Sequence, residues 1–479
     1  MIILESESDR PIYNQLYIQL RNKIISGEFE SGSKLPSMRA LSKELSISRN
    51  TVEQAYHHLS SEGYIVSEVR RGFFVETIDF TSIHVKPLEL ENKLQKISRS
   101  ESICECEKVN LERPSPPIRF DFKYGMLSPE HLPLRNWKPL MNKSLMESKD
   151  EISEYRPMFG EYKLRKEIKK YLNHYRGVDC SLDQIFIGAG VHYCLSMLCQ
   201  ILRLENDHVA MEDPGYHVTR STFKNHGFNV EAVTLDHDGI NIKELDQSKA
   251  KIVYVTPSHQ YPLGLIMPVS KRVQLIKWAE QVDGLIIEDD YSCHLRYKSK
   301  PVQSLQSLSR ERVAYIGSFS KFLFPSLRIA YMIIPKGYLE TFKNTFTGYP
   351  STVSYLMQDT LARFMNEGHW ESYLKRNRKL QEVKHDRLIN ALKNSFGNRL
   401  TIHGANAGLH LLLEFDTPVP EGVLVEEALK QGVKVYSTSQ FWSQNTDRSK
   451  RSVVLGYGGM PLEDIDEAVA LLAKAWTFN

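Results

Sequence analysis

The stretch from Tyr315 to Ile333, YIGSFSKFLFPSLRIAYMI, holds one lysine, Lys321, between Ser318 and Ser320, with Arg328 shortly after it. A solvated lysine needs no such setting. An amine that condenses with an aldehyde needs a desolvated turn with anion-binding neighbours. Three other segments carry comparable chemistry. Gly188-Ala189-Gly190 joins a strand-like run to a helical one, where bare amides can cradle a phosphate. Asp213-Pro214-Gly215-Tyr216 offers an aromatic face, and Asp289-Asp290-Tyr291 ends the apolar run LIIEDDY, where an unpaired carboxylate is costly. Alone, each also suits an ordinary role: a glycine turn, a core tyrosine, an acidic strand end, a surface lysine. Together they meet the needs of pyridoxal phosphate. The lysine forms a Schiff base, and a carboxylate keeps the pyridine nitrogen protonated so that the ring acts as an electron sink. A tyrosine bonds the phenolic oxygen, an aromatic ring stacks on the face, and amides, serines and an arginine neutralise the phosphate.

The elements that would position these residues alternate. QIFIGAG leads into the helical YCLSMLCQILRL, HVAMEDPGY into RSTFKNHG, and KIVYVTPS is followed by RVQLIKWAEQVDG, LIIEDDY and VAYIGSFSK. This β-α alternation predicts a mostly parallel sheet with the site at its strand ends. From about Glu367 to Asn479, long helices mix with GLHLLLEFD and SVVLGY, which reads as a smaller part beside a larger one of about 150–366.

The first eighty residues have another character. PIYNQLYIQLRNKIIS puts Ile12, Leu16, Leu20 and Ile24 on one helical face. Ser37 can cap a short helix bearing Leu41 and Leu45, and Ser48 a second with Val52, Ala55, Tyr56 and Leu59 as its buried stripe. YIVSEVRRGFFVET then alternates and turns at Arg71-Gly72 like a two-stranded ribbon. Three helices and a ribbon predict a winged helix-turn-helix. Its third helix would present Arg49, Asn50, Thr51 and Gln54 to base edges in the major groove. Arg39, Arg70 and Arg71 suit phosphate or minor-groove contact. Acids slightly outnumber Lys and Arg in this segment, and basic character survives only as the local cluster Lys34, Arg39, Lys43 and Arg49. A three-helix protein-interaction module fits the same periodicity.

At 479 residues, with 41% hydrophobic and 25% charged residues, the chain has room for two or three globular domains. A net charge of +3 points to no partner, and no apolar run is long enough to span a bilayer. The start, MIILESESDRP, lacks a signal-peptide pattern, so a cytoplasmic location is expected. The six cysteines are scattered, and Cys104-Glu-Cys106 has no second pair at zinc spacing, which suits structural thiols and no metal. From Thr77 to Ile118 the pattern dissolves into Pro, Ser and charges ending in RPSPP. As a coil, about 40 residues would span roughly 35 Å, close to the ~34–36 Å between DNA half-sites. A linker packed on the surface fits equally.

PIYNQLYIQLRNKIISGEFESGSKLPSMRALSKELSISRNTVEQAYHHLSSEGYIVSEVRRGFFV resembles the DNA-binding domain of the GntR regulators along its whole length. That resemblance implies DNA contacts at Ser37, Arg39, Arg49, Asn50, Thr51, Gln54 and Gly72. Residues 119–479 resemble the fold type I aminotransferases. TPSHQYPLGLIMPVSKR, IIEDDYSCHLRY, SFSKFLFPSLR and HGANAGLHLLLEFD resemble the MocR-type branch of the GntR family, whose best-known member responds to γ-aminobutyrate. The domain boundaries so implied are 1–79 for the winged helix, 80–118 for the linker and 119–479 for the aminotransferase-like body. By the same resemblance Lys321 forms the aldimine, Asp289 faces the pyridine nitrogen, Tyr291 the phenolic oxygen, and Tyr216 stacks on the ring. Gly190, Val191, Ser318, Ser320 and Arg328 hold the phosphate, and a head-to-tail homodimer is expected on double-stranded promoter DNA.

Aminotransferases anchor the substrate carboxylate on an arginine near the C-terminus, a position that aligns with Gly459 here. A second anchor of the γ-aminobutyrate-responsive regulator aligns with Val218. Losing both charge-assisted anchors removes several kcal/mol of amino-acid binding. The expected effector is therefore pyridoxal phosphate itself, as in the sub-branch that regulates vitamin B6 synthesis, unless Arg220 or Arg156 supplies a relocated anchor. The alternatives are an amino-acid-responsive regulator, a working aminotransferase with an incidental DNA head, and a body that only dimerises.

Overall fold

The structure is a computed structural model that describes Ile2, Leu4 and residues 11–68, 71–76, 117–204, 206–297, 303–443 and 451–477. The chain divides into two compact units, Met1–Asn110 and Leu111–Asn479. Most of the expected linker, Cys104, Cys106 and Arg70 lie outside the described residues.

In the first unit α1 (Ile12–Ile25), α2 (Met38–Glu44) and α3 (Arg49–Ser61) precede an antiparallel ribbon of β1 (Ile65–Glu68) and β2 (Gly72–Val75). The caps are those the sequence predicts. Ser37 Oγ accepts from Ala40 N at 3.1 Å and Ser48 Oγ from Thr51 N at 3.1 Å, each satisfying an amide that a helix start leaves without a partner. Leu16, Leu20 and Ile24 are buried with Leu41, Val52, Ala55, Tyr56 and Leu59. Ile12 departs from its expected stripe: it is 38% exposed, while Tyr17 is buried and donates to Glu62 Oε2 at 2.6 Å. Ile12 opens the first turn, a helical turn short of the core that Leu16 reaches.

The second unit is built on an eight-stranded sheet ordered β4-β11-β10-β9-β8-β5-β6-β7. Its strands are β4 (Ile185–Gly188), β5 (His208–Asp213), β6 (Asn229–Asp236), β7 (Gly239–Ile240), β8 (Ile252–Val255), β9 (Leu285–Asp289), β10 (Val313–Ser318) and β11 (Ala330–Ile333). Strands β10, β9, β8, β5 and β6 run parallel, whereas β11 is antiparallel to both β10 and β4. The reversal has a simple cause: the connection 319–329 is too short for a crossover helix, so β11 must return beside β10. Every residue of β8 and β9 is buried, because helices cover both sheet faces. Two of those helices matter for the site, α4 (Val191–Leu202) after β4 and α5 (His217–Asn225) after β5.

A long helix, α6 (His369–Phe396), leads to a four-stranded sheet that includes His410–Phe415 and Ser452–Gly456. The short strand β3 (Phe120–Asp121) pairs in parallel with Val433–Lys434 in this C-terminal part. Cys180, Cys194, Cys199 and Cys293 are free thiols. Among the described residues no helix is long and apolar enough to cross a membrane, and no cluster of His, Cys, Asp and Glu has metal-binding geometry.

Candidate functional site

The carboxyl ends of the central strands meet in one cavity of about 130 Å³. It is lined by Val191, Tyr216, Asp289, Tyr291, Ser318, Ser320, Lys321 and Arg328, all of which the sequence singled out. Gly190 completes the same wall. It caps α4 with φ 99° and ψ 166°, a region that only glycine adopts readily. A Cβ there would lie 2.5 Å from Arg328 Nη2, so the guanidinium sits directly on the start of α4. One end of the cavity therefore gathers helix amides, two serine hydroxyls and an arginine, a donor set whose charge and geometry suit an anion.

Lys321 lies at the other end. Its Nζ donates to the Tyr124 hydroxyl and stands 4.0 Å from the Tyr124 ring centroid and 4.1 Å from that of Tyr291. Burial holds this amine well below its ordinary pKa, with Asp289 acting in the opposite sense. A larger uncharged fraction makes the amine more nucleophilic near neutral pH. Asp289 is buried; Tyr254 OH donates to its Oδ2, while its Oδ1 has no hydrogen-bond partner among the described residues. Burial raises the Asp289 carboxyl above its usual range, opposed by the Tyr254 hydrogen bond and by Lys321. Next to it, Asp290 is held low by Arg176, Nε to Oδ2 at 2.6 Å, and by Tyr315 OH at 2.6 Å, against the effect of burial. The two adjacent aspartates thus have distinct jobs: Asp290 ties strands and helices together, and Asp289 offers an oxygen to the cavity.

Tyr291 departs from a free hydroxyl. It donates to the His259 carbonyl at 2.7 Å and lies 3.1 Å from His259 Nδ1. His259 is pushed down to about 3, chiefly by burial, and stays a neutral imidazole. Five further lining residues escaped sequence reasoning: Tyr124, His192, Tyr254, Thr256 and Tyr261. Tyr254 and Thr256 carried a signal, since they alternate at the end of the strand that pairs with β9. Tyr124 carried none locally. It reaches Lys321 because the strand before it is anchored to Val433–Lys434.

Neither Arg220 nor Arg156 stands free to replace the carboxylate anchors missing at Gly459 and Val218. A Cβ on Gly459 would stand 2.7 Å from the Met126 Cβ, and Val218 is only half-buried near the start of α5. Arg220 is committed to Asp213 Oδ1 at 3.0 Å and to the Phe441 carbonyl at 2.8 Å. Arg156 pairs with both oxygens of Glu161 at 2.7 and 3.0 Å.

In the head, Arg39, Arg49, Asn50 and Gln54 are exposed, as a reading face requires. Thr51 is half-buried, its hydroxyl 2.8 Å from Ser48 Oγ, and Ser37 is occupied as a cap. Both therefore shape the helix starts at least as much as they face outward. Arg71 pairs with Glu68 and stacks on Phe74, and Gly72 has φ 113° at the wing, 3.2 Å from Lys34 Cε when given a Cβ.

Residues 12–75 match the family model "Bacterial regulatory proteins, gntR family", and residues 124–470 match "Aminotransferase class I and II". The HTH-type transcriptional regulator YdeL of Bacillus subtilis is 38% identical, over 98% of this chain and 97% of its own. The probable rhizopine catabolism regulatory protein MocR of Rhizobium meliloti is 28% identical over 99% and 96%. The pyridoxine biosynthesis transcriptional regulator PdxR of Corynebacterium glutamicum is 28% identical over 98% of each. Among solved structures, the α-aminoadipate aminotransferase LysN of Thermus thermophilus, complexed with N-(5'-phosphopyridoxyl)-L-leucine, superposes with a TM-score of 0.67. It is 23% identical and covers 74% of this chain and 91% of that one. The chain therefore belongs to the MocR-type GntR-family transcriptional regulators, a winged helix-turn-helix joined to a fold type I aminotransferase-like body.

Proposed function

We propose that this regulator binds promoter DNA through residues 1–79 and responds to pyridoxal phosphate held in the body at Lys321, controlling genes of vitamin B6 synthesis. The observation that carries the reading is the make-up of the cavity. A desolvated lysine, an aspartate oxygen without a hydrogen-bond partner among the described residues and an anion cradle at α4 converge there, and Lys321 and Arg328 are the only Lys or Arg side chains among its described lining. The unpartnered Asp289 Oδ1, Ser320 Oγ and the closely approached Gly190 fit a ring nitrogen and a phosphate.

Bound there, pyridoxal phosphate would supply an aldehyde for the amine and a protonated ring that withdraws electrons. Asp289 would accept from the ring nitrogen, Tyr216 would cover one ring face, and Ser318, Ser320, Arg328 and the amides of Val191 and its neighbour would hold the phosphate. Domain boundaries at 79 and 118 and a head-to-tail homodimer on DNA belong to the same reading. The name of the PdxR relative supports the B6 assignment. The lack of an arginine at Gly459 and at Val218 favours the cofactor over an amino acid as effector.

Absorbance titration of the purified protein tests this. Pyridoxal phosphate should produce a visible band at one equivalent per chain, and borohydride reduction should place its mass on the Lys321 peptide. γ-Aminobutyrate and α-amino acids should leave that band unchanged. Ready conversion of the band by an amino acid would favour an amino-acid effector, and sustained keto-acid production lost in Lys321→Ala would favour a working aminotransferase.

A further inference from the structure

His192, which nothing in the family resemblance singled out, occupies the first turn of α4, beside the Gly190 cap. It lines the cavity with Val191, Ser318, Ser320 and Arg328. Its ring stacks on Tyr216 with centroids 5.9 Å apart and planes 22° from parallel. That contact fixes the imidazole while its buried Nδ1 has no hydrogen-bond partner among the described residues. The groups that act on it are Arg328, His217 on α5 and Lys321, with Tyr216 stacked against it; Asp289, the one carboxylate among the described lining, lies beside Lys321 and Tyr254. Burial first, then Arg328, His217 and Lys321, holds the imidazole below its ordinary value, so it is neutral in the free protein at neutral pH. The helix amides, serine hydroxyls and Arg328 at this end of the cavity are complementary to a multiply charged anion.

We propose that His192 is a specificity-determining residue that takes up a proton when a phosphate monoester dianion enters the cavity, so that the site prefers phosphorylated over unphosphorylated ligand most strongly at the acid side of neutrality. The inference rests on the cofactor reading above. The physics is linkage. A dianion beside the imidazole raises its pKa in the complex above its value in the free protein, so binding takes up a proton. Affinity for the phosphorylated ligand is then highest below the complexed pKa and declines as pH rises through it.

The test compares pyridoxal phosphate with pyridoxal from pH 7 to 9, a range above the second phosphate ionisation near about 6. Amine–aldehyde chemistry at Lys321 is common to both ligands and cancels in the ratio of their dissociation constants once each is referred to free aldehyde, the internal hemiacetal of pyridoxal being measured by absorbance at every pH. For each pKa unit gained in the complex, the preference for the phosphate should fall about tenfold across the titration. His192→Gln, which keeps a hydrogen-bonding side chain but does not titrate, should show a pH-independent ratio equal to the wild-type value at pH 9. Calorimetry of the wild-type protein in two buffers of different ionisation heat should show extra proton uptake with pyridoxal phosphate over pyridoxal, a readout that needs no variant. A wild-type ratio that is flat, or a slope that survives in His192→Gln, overturns the inference while leaving the cofactor reading intact. Failure of both ligands to bind overturns the two together.

Discussion

Replacing Gly190 with alanine tests the anion cradle at its tightest point. The residue's φ of 99° and ψ of 166° lie where a side chain costs about 1–3 kcal/mol. The added Cβ would meet Arg328 Nη2 at 2.5 Å and Cζ at 3.0 Å. The guanidinium is the movable partner, so it swings away and its charge-assisted bond to a phosphate is lost, about 1.5–3 kcal/mol. That corresponds to roughly 10- to 150-fold weaker pyridoxal phosphate binding. Pyridoxal, which lacks the phosphate, should weaken by less than about threefold because Lys321 and Asp289 are untouched. Parallel absorbance titrations of both ligands, with a thermal melt to report the backbone cost, separate the two effects. Equal weakening of both ligands, or none of either, would refute the placement of the phosphate against α4.

Other expected outcomes follow from the head and from a lysine buried in the C-terminal part of the body. Arg49→Ala, Asn50→Ala and Gln54→Ala should each weaken binding to an operator selected from a random library by about 1–3 kcal/mol, measured by fluorescence anisotropy, with cofactor titration unchanged. Ser48→Ala removes the α3 cap and should cost about 1 kcal/mol, seen as faster hydrogen exchange of α3 amides. Lys384 is buried against Ser128 Oγ at 3.0 Å and the Gly458 carbonyl at 3.3 Å, and burial lowers it to about 8. Between that value and about 10.4 the folded state has released a proton that the unfolded chain still holds, so wild-type stability should rise with pH in this window. Lys384→Met should abolish that rise, and its advantage near pH 7, at most about 3 kcal/mol, should shrink by pH 9.5 in denaturant melts.

Local signals account for most of what could be read from the sequence. The helix caps at Ser37 and Ser48, the buried stripe of α3 and the residues at strand ends are each set by their immediate neighbours, and those assignments match the structure. Elements set by distant pairing were harder to see. The expectation of a mostly parallel sheet agrees with the structure but did not say which strand reverses; it is β11, as the short 319–329 connection requires. Tyr124 enters the site only through the pairing of Phe120–Asp121 with Val433–Lys434, which no window of sequence around residue 124 could show. His192 was passed over because a polar residue in a helix's first turn looks like surface until Tyr216 is packed against it.

The central claim is that occupancy at Lys321 and grip on DNA are coupled, and a thermodynamic cycle measures this directly. Pyridoxal phosphate affinity would be determined for the full chain with and without saturating selected operator, and operator affinity with and without saturating cofactor. The account predicts that each ligand changes the other's dissociation constant by the same factor, and that Lys321→Ala abolishes the coupling while retaining DNA binding. Cofactor and operator affinities that are independent of one another would contradict it.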